Sequence, residues 1–166
     1  HQLIKLGIGA ALPSSLNIPQ EISENRIGAV GNLQIKLWDK IALNSNLEFS
    51  NGNEFGTFLR SQNLMKFEPV KGYFVNAKVN FQSASPTFNL LMNPSVYRQF
   101  NYYFDNPNNE TITEIGGDIN LKWFRSKAFA NYFRIDNYTY LDSAAHPQQS
   151  GSGLNISQIG GEATFS

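Results

Sequence analysis

Hydrophobic and polar residues alternate at period two along most of the chain. Ile27, Ala29, Gly31, Leu33, Ile35 and Leu37 interleave with Asn32, Gln34 and Lys36. Ile41, Leu43, Leu47 and Phe49 interleave with Asn44, Asn46 and Glu48. Tyr73, Val75, Ala77, Val79 and Phe81 do so with Asn76, Lys78, Asn80 and Gln82. The same holds for Ile115, Ile119, Leu121 and Trp123 against Glu114, Asp118, Asn120 and Lys122, and for Ile4, Leu6, Ile8, Ala10 and Leu12 around Lys5. A repeat of two puts apolar side chains on one face of a strand and polar ones on the other. Helical spacing fits none of these windows as well. Three further strands carry a weaker pattern. Residues 57–68 place Leu59, Met65 and Phe67 opposite Arg60, Gln62, Lys66 and Glu68; residues 128–140 are aromatic on both faces. Residues 153–166 begin with Leu154 and Ile156 and then change parity to Ile159, Ala163 and Phe165, which predicts a bulge or a displaced boundary. The total is about eight strands.

The connections alternate in length. Segments 38–40, 69–72 and 124–127 are short, 51–56 is of medium length, and 13–25, 84–111 and 141–152 are long and rich in Asn, Pro, Ser and Gly. In an up-and-down antiparallel sheet, successive connections lie at opposite ends, so one end carries tight turns and the other long loops. Transmembrane β-barrels have this asymmetry, with short turns on the periplasmic side and longer loops outside. Trp38 and Trp123 are the two tryptophans, and both adjoin short turns, as an interfacial aromatic girdle requires. Ordinary hairpin aromatics are the alternative. A soluble β-sandwich also alternates. Strands of about 11–13 residues, with Asn, Gln and Lys at mid-strand, suit a tilted bilayer span and a wet lumen better than ~5–6-residue soluble strands. The expected fold is therefore all-β, an antiparallel up-and-down transmembrane β-barrel, with residues 1–166 a single barrel segment. Eight strands could close by themselves. The abrupt ends at His1 and Ser166 instead favour a piece of a larger barrel.

Composition narrows the function. Thirteen Lys and Arg balance thirteen Asp and Glu, and charged residues are 16% of the chain. With no basic block and no net charge, a nucleic-acid partner is not expected. No run approaches the ~18 apolar residues of a transmembrane helix, and a hydrophobic content of 41% is too high for a disordered tail. The absence of cysteine removes disulfides, thiolate metal sites and Cys nucleophiles.

No catalytic or metal constellation emerges, and no cofactor is expected. His146 precedes Pro147 in a polar loop and reads as a solvated histidine. Glu110 and Glu114 share a strand face, and Asp136 and Asp142 lack a companion that would make an acid and base pair. Ser14, Ser15 and Ser83 have no G-x-S-x-G setting. Gly7-Ile8-Gly9 lacks the third glycine and the helix of a dinucleotide loop.

The run NYFRIDNYTYLD from Asn131 to Asp142, then Pro147-Gln148-Gln149 and LNISQI from Leu154 to Ile159, resembles the outer-membrane family of Bacteroidota named "putative porin". NFQSASPTFNLL from Asn80 to Leu91 is similar to that family's text before a long loop. The resemblance implies a barrel larger than this chain, set in outer-membrane lipid, and carries over no ligand or catalytic residue. Asp142-Ser143-Ala144 resembles the Asp-Ser/Thr-small O-glycosylation motif of exported Bacteroidota proteins, making Ser143 a candidate acceptor.

The first functional reading is a porin through which small hydrophilic solutes diffuse passively, with Lys36, Glu48, Lys78, Glu114, Asp118 and Lys122 as lumen charges. Their mixed signs predict weak ion selectivity. The alternatives are a non-channel barrel within an envelope protein complex, a client held on barrel-assembly machinery, and the barrel of an active transporter. Segment 84–111 carries Tyr97, Phe100, Tyr102, Tyr103 and Phe104. It is expected to fold into the lumen, to meet a partner, or to pack on its own rim.

Overall fold

A computed structural model describes residues 2–5, 21–93, 102–104, 106–121 and 125–164. Two short strands, β1 (Gln2–Lys5) and β2 (Glu21–Glu24), precede four long ones: β3 (Arg26–Leu37), β4 (Ile41–Gly52), β5 (Thr57–Val70) and β6 (Tyr73–Ala84). A one-turn helix α1 (Phe88–Leu91) and the two-residue strands β7 (Met92–Asn93) and β8 (Tyr102–Tyr103) follow. The chain continues through β9 (Glu110–Leu121), β10 (Ser126–Asp136), β11 (Thr139–Leu141), β12 (Pro147–Gln149) and β13 (Leu154–Ala163). The long strands form one antiparallel sheet of seven, in the order β13-β10-β9-β6-β5-β4-β3. Every strand pairs with its neighbour in that sequence of long strands, which is the expected meander.

The described part of the expected first strand, Gln2–Lys5, is not in the seven-stranded sheet. Gln2–Lys5 pairs instead with Glu21–Glu24, from Gln2↔Glu24 to Lys5↔Glu21, in a separate ribbon; residues 6–12 lie outside the described residues. Alternation marks an extended segment without naming its partner, and β2 supplied one closer in sequence than the sheet edge. The segment expected as 128–140 is broken at Asn137, whose φ of 55° turns the chain between β10 and β11. The bulge expected in β13 is also absent: pairing runs unbroken from Ser126↔Ala163 to Ile135↔Leu154. The register shift falls in β5 between Phe67 and Val70, where the Glu68 N–H donates to Lys40 O at 2.8 Å.

Tight turns close one end of the sheet. Trp38 and Asp39 take left-handed φ values of 51° and 54°, and Lys40 N–H donates back to Leu37 O at 3.1 Å. Paired positive φ values match the right-handed twist of flanking strands, but a left-handed Trp is sterically uncommon. In the Lys71-Gly72 turn, Gly72 takes φ 90°, and its N–H donates to Glu68 Oε1 at 2.9 Å.

The sheet has no core. Among the described residues, the buried apolar side chains are Pro86, Leu91, Met92 and Tyr102 in the 85–109 loop and Pro147 in β12; none lies in the seven-stranded sheet. Leu33, Val79 and Ile115, at the centre of their strands, are 53%, 49% and 52% exposed. A sandwich would cover this face with a second sheet; among the described residues nothing does.

Candidate functional site

Register fixes two faces. The row Ile35↔Leu43↔Met65↔Ala77↔Gly117↔Ala130↔Ile159 crosses all seven strands on the apolar face. Towards the loop end, the last large apolar residue on this face is Ile27 on β3, Phe49 on β4, Leu59 on β5 and Phe81 on β6. On β9, β10 and β13 it is Ile115, Tyr132 and Ile159. Beyond that line the same face turns polar, with Asn51, Ser83, Thr111, Thr113, Arg134, Asp136, Asn155 and Ser157. The line is oblique. Ile159 lies in the row of Ile35, eight residues along β3 from Ile27 and six strand steps away. That is a stagger of about 1.3 residues per strand. With ~3.3 Å per residue and ~4.8 Å between strands, the strands tilt about 40° from the normal of the apolar band.

One polar cluster of three side chains, Ser45, Ser61 and Asn63, interrupts the band. Ser45 Oγ donates to Asn63 Oδ1 at 2.6 Å, and Asn63 Nδ2 donates to Ser61 Oγ at 2.9 Å and Val79 O at 3.0 Å. Both amide hydrogens of Asn63 are thereby used, as a polar group on an apolar face requires.

The opposite face gathers the expected charges. Lys36, Glu48, Lys78, Glu114 and Asp118 all fall on it; Lys122 and Trp123 lie outside the described residues. Neighbouring strands neutralise most of them. Arg60 Nη1 meets Glu48 Oε2 at 3.5 Å, Lys78 Nζ meets Glu114 Oε1 at 2.5 Å, and Lys127 Nζ lies 3.8 Å from Asp118 Oδ1. Asn80 and Asn76 donate to Glu114 and Asp118 at 2.6 and 3.0 Å. Phe129 packs across to β13, where a β-carbon on Gly160 would overlap its ring. Alternation did not reveal an apolar patch at the loop end of this face. It consists of Ile112, Phe133, Ile135, Leu154 and Ile156, brought side by side by Ile112↔Ile135↔Leu154 and Phe133↔Ile156.

A family model described as "putative porin" matches residues 4–166. The chain belongs to the putative porin family. No curated protein and no solved structure matches it.

The loop end of this porin-family chain is a hydrogen-bonded cap. Glu24 is buried at 3% exposure, holds Arg26 Nε at 2.8 Å and accepts the Glu54 N–H at 2.8 Å. A β-carbon on Gly52 would overlap the Glu24 carboxylate. Phe88 packs edge-on against Phe55 with ring centroids 6.3 Å apart, and buried Tyr102 donates its hydroxyl to Asn89 O. Burial pushes the Tyr102 phenol up from its ordinary value. Asn109 Nδ2 donates to Thr57 O at 2.8 Å, while Gln149 pairs with the Asn108 backbone at 2.9 and 2.7 Å. The described part of segment 84–111 thus packs on its own rim; residues 94–101 and 105 lie outside the described residues. The tip between β11 and β12 exposes Ser143. Beneath it, Asp142 Oδ1 accepts the N–H groups of His146 and Ala144, each at 2.9 Å, which hold its carboxyl below the ordinary range. At the other end, Trp38 is 81% exposed on its turn.

Proposed function

We propose that this chain is part of an outer-membrane barrel that passes small hydrophilic solutes by passive diffusion, without catalysing a reaction. The observation that carries this reading is the oblique apolar band on a sheet that buries nothing, opposite a face of paired charges. A tilt of about 40° is that of strands in transmembrane barrels, roughly 35–45°. In this reading the band faces lipid, and the polar face lines water. Lys36, Glu48, Lys78, Glu114 and Asp118 then sit in the lumen, with Lys122 expected beside them. Trp38 lies at the periplasmic interface, with Trp123 expected there too, and exposed Ser143 remains a candidate glycosylation site on the outer side. Among the described residues β3 and β13 each have one unpaired edge. Unpaired backbone groups in hydrocarbon cost several kcal/mol each, so further strands of the complete protein are expected to cover both edges and close the barrel.

The apolar patch around Ile135 favours a second reading, in which the mouth holds a protein partner and the barrel serves as a scaffold or assembly-machinery client. The complete protein in planar bilayers separates the two. A porin raises conductance in ohmic steps, and a cysteine at Ser152 is labelled by an impermeant reagent on whole cells while one at Asp39 is not. Correct insertion without steps would replace the pore by the scaffold.

A further inference from the structure

We infer that the short-turn mouth of the polar face holds a binding site for a multiply charged oxyanion such as phosphate, built from Lys36 and Lys66 on either side of Ala42. This rests on the porin reading for its place in a solute path, but the site itself does not.

Lys36, Ala42 and Lys66 are directly paired across three adjacent strands. The lysines therefore rise from the same face about 10 Å apart, two inter-strand spacings. Ala42 is the small floor between them. A cavity of about 250 Å³ opens beside this floor, and its lining includes Lys36, Asp39, Lys40, Ile41, Ala42, Lys66 and Glu68. The Lys66 ammonium stands 3.9 Å from the centroid of the Phe74 ring. A cation–π contact of this kind fixes the side chain and leaves its charge in place.

The decisive contrast is with the other cations of this face. Arg60, Lys78 and Lys127 each have a carboxylate within 4.0 Å; among the described residues Lys36, Lys40 and Lys66 have none. The two carboxylates at the cavity, Glu68 and Asp39, offset two of the three charges but form no direct ion pair with any of these lysines, and Glu68 Oε1 accepts the Gly72 N–H at 2.9 Å. Three ammonium groups thus meet two carboxylates around an open floor. An oxyanion that bridges two ammonium groups makes charge-assisted hydrogen bonds to both. A halide is a single, singly charged atom and has no separate oxygens to offer one to each ammonium group. Lys78, whose charge Glu114 already compensates, contributes little.

Phosphate binding to the complete protein, refolded in detergent micelles and followed by titration calorimetry, tests the site. Lys36→Gln with Lys66→Gln should weaken binding at least tenfold. Ala42→Glu, which keeps both lysines and places a carboxylate between them, should do the same. Lys78→Gln with Glu114→Gln removes a neutral pair and should bind like the natural protein. Absent binding by the natural protein, or binding unchanged by the first two variants, overturns the site. In planar bilayers, phosphate on the short-turn side should reduce chloride current through the natural protein and much less through Lys36→Gln/Lys66→Gln. Binding with the expected variant pattern but no conductance keeps the site and removes the pore; ohmic steps without phosphate binding do the reverse.

Discussion

The sheet and the cap of this molecule are stabilised in opposite ways. The cap is small and self-contained: Leu91, Met92 and Tyr102 are buried among its own loops, and Glu24 is buried with a partner for each carboxylate oxygen. The sheet is large and buries nothing, although Ile, Leu, Val and Phe crowd one side of it. A cap of this kind meets the rule for water-soluble structure, in which apolar groups leave the solvent by packing on each other. The sheet satisfies its backbone through strand pairing and leaves its apolar face uncovered among the described residues; on the proposed reading, lipid covers it. The contrast means that one face can change polarity within the length of a strand, and on the proposed reading the oblique line from Ile27 to Ile159 is where lipid gives way to water.

The largest expected effect lies on the sheet. Leu33→Arg should destabilise the folded protein in bilayers by roughly 2–4 kcal/mol if the site lies near the midplane. Gln34→Arg, on the other face, should be tolerated. Unfolding titrations in lipid vesicles measure both, and equal damage would dissolve the distinction between the faces. Next comes the cap. Tyr102→Ala removes a buried ring and its hydrogen bond to Asn89, with an expected local cost of about 2 kcal/mol, below the range of larger cores because a small cap can partly collapse. Hydrogen exchange should accelerate in 88–93 and 102–104, while protection in β3–β6 stays unchanged. Spread of the effect into the sheet would show that the two regions are one cooperative unit.

The smallest effect concerns the tip at Ser143. Because the Asp142 carboxyl is held below its ordinary value by the His146 and Ala144 N–H groups, its contribution is complete above about pH 4, the unperturbed carboxylate range, and is lost as pH falls through the lower folded value. Amide shifts of Ala144 and His146 should titrate in that acid window. Asp142→Asn should remove the transition. A midpoint above the ordinary carboxylate value would contradict the hydrogen bonds at the tip.

Much of the sheet was legible because β3, β4 and β6 stay inside the apolar band for nearly all their length, so one face keeps one polarity. The two segments that resisted the pattern share a cause. β10 and β13 leave the band part-way, at Tyr132 and Ile159, and beyond it their apolar residues move to the opposite face without any change of register; in β10, Phe129 on the polar face inside the band blurs the pattern further. A change of parity therefore has two physical sources, a bulge or a change of solvent, and alternation alone does not separate them. The charged positions on the polar face followed from alternation, but their partners did not. Lys78 and Glu114 meet only because β6 pairs with β9 across the 85–109 loop. Lys66 was legible as a polar-face residue; its importance depended on Ala42 and Lys36 lying beside it. Ser61 and Asn63 break the alternation on β5 and make sense only once Ser45 is seen opposite.

The order β13-β10-β9-β6-β5-β4-β3 has a consequence for how the chain assembles. Each long strand pairs only with the long strand before or after it, so the sheet can grow by successive hairpins, with few contacts between distant parts of the chain. The costliest step is the joining of β6 to β9. It closes a connection of 25 residues, 85–109, against two residues at Lys71-Gly72. Loop-closure entropy makes that step harder by about 2 kcal/mol. The short helix and the Met92↔Tyr103 pairing shorten the effective loop once they form. The cap would then act during folding as a clasp that brings the second half of the sheet onto the first.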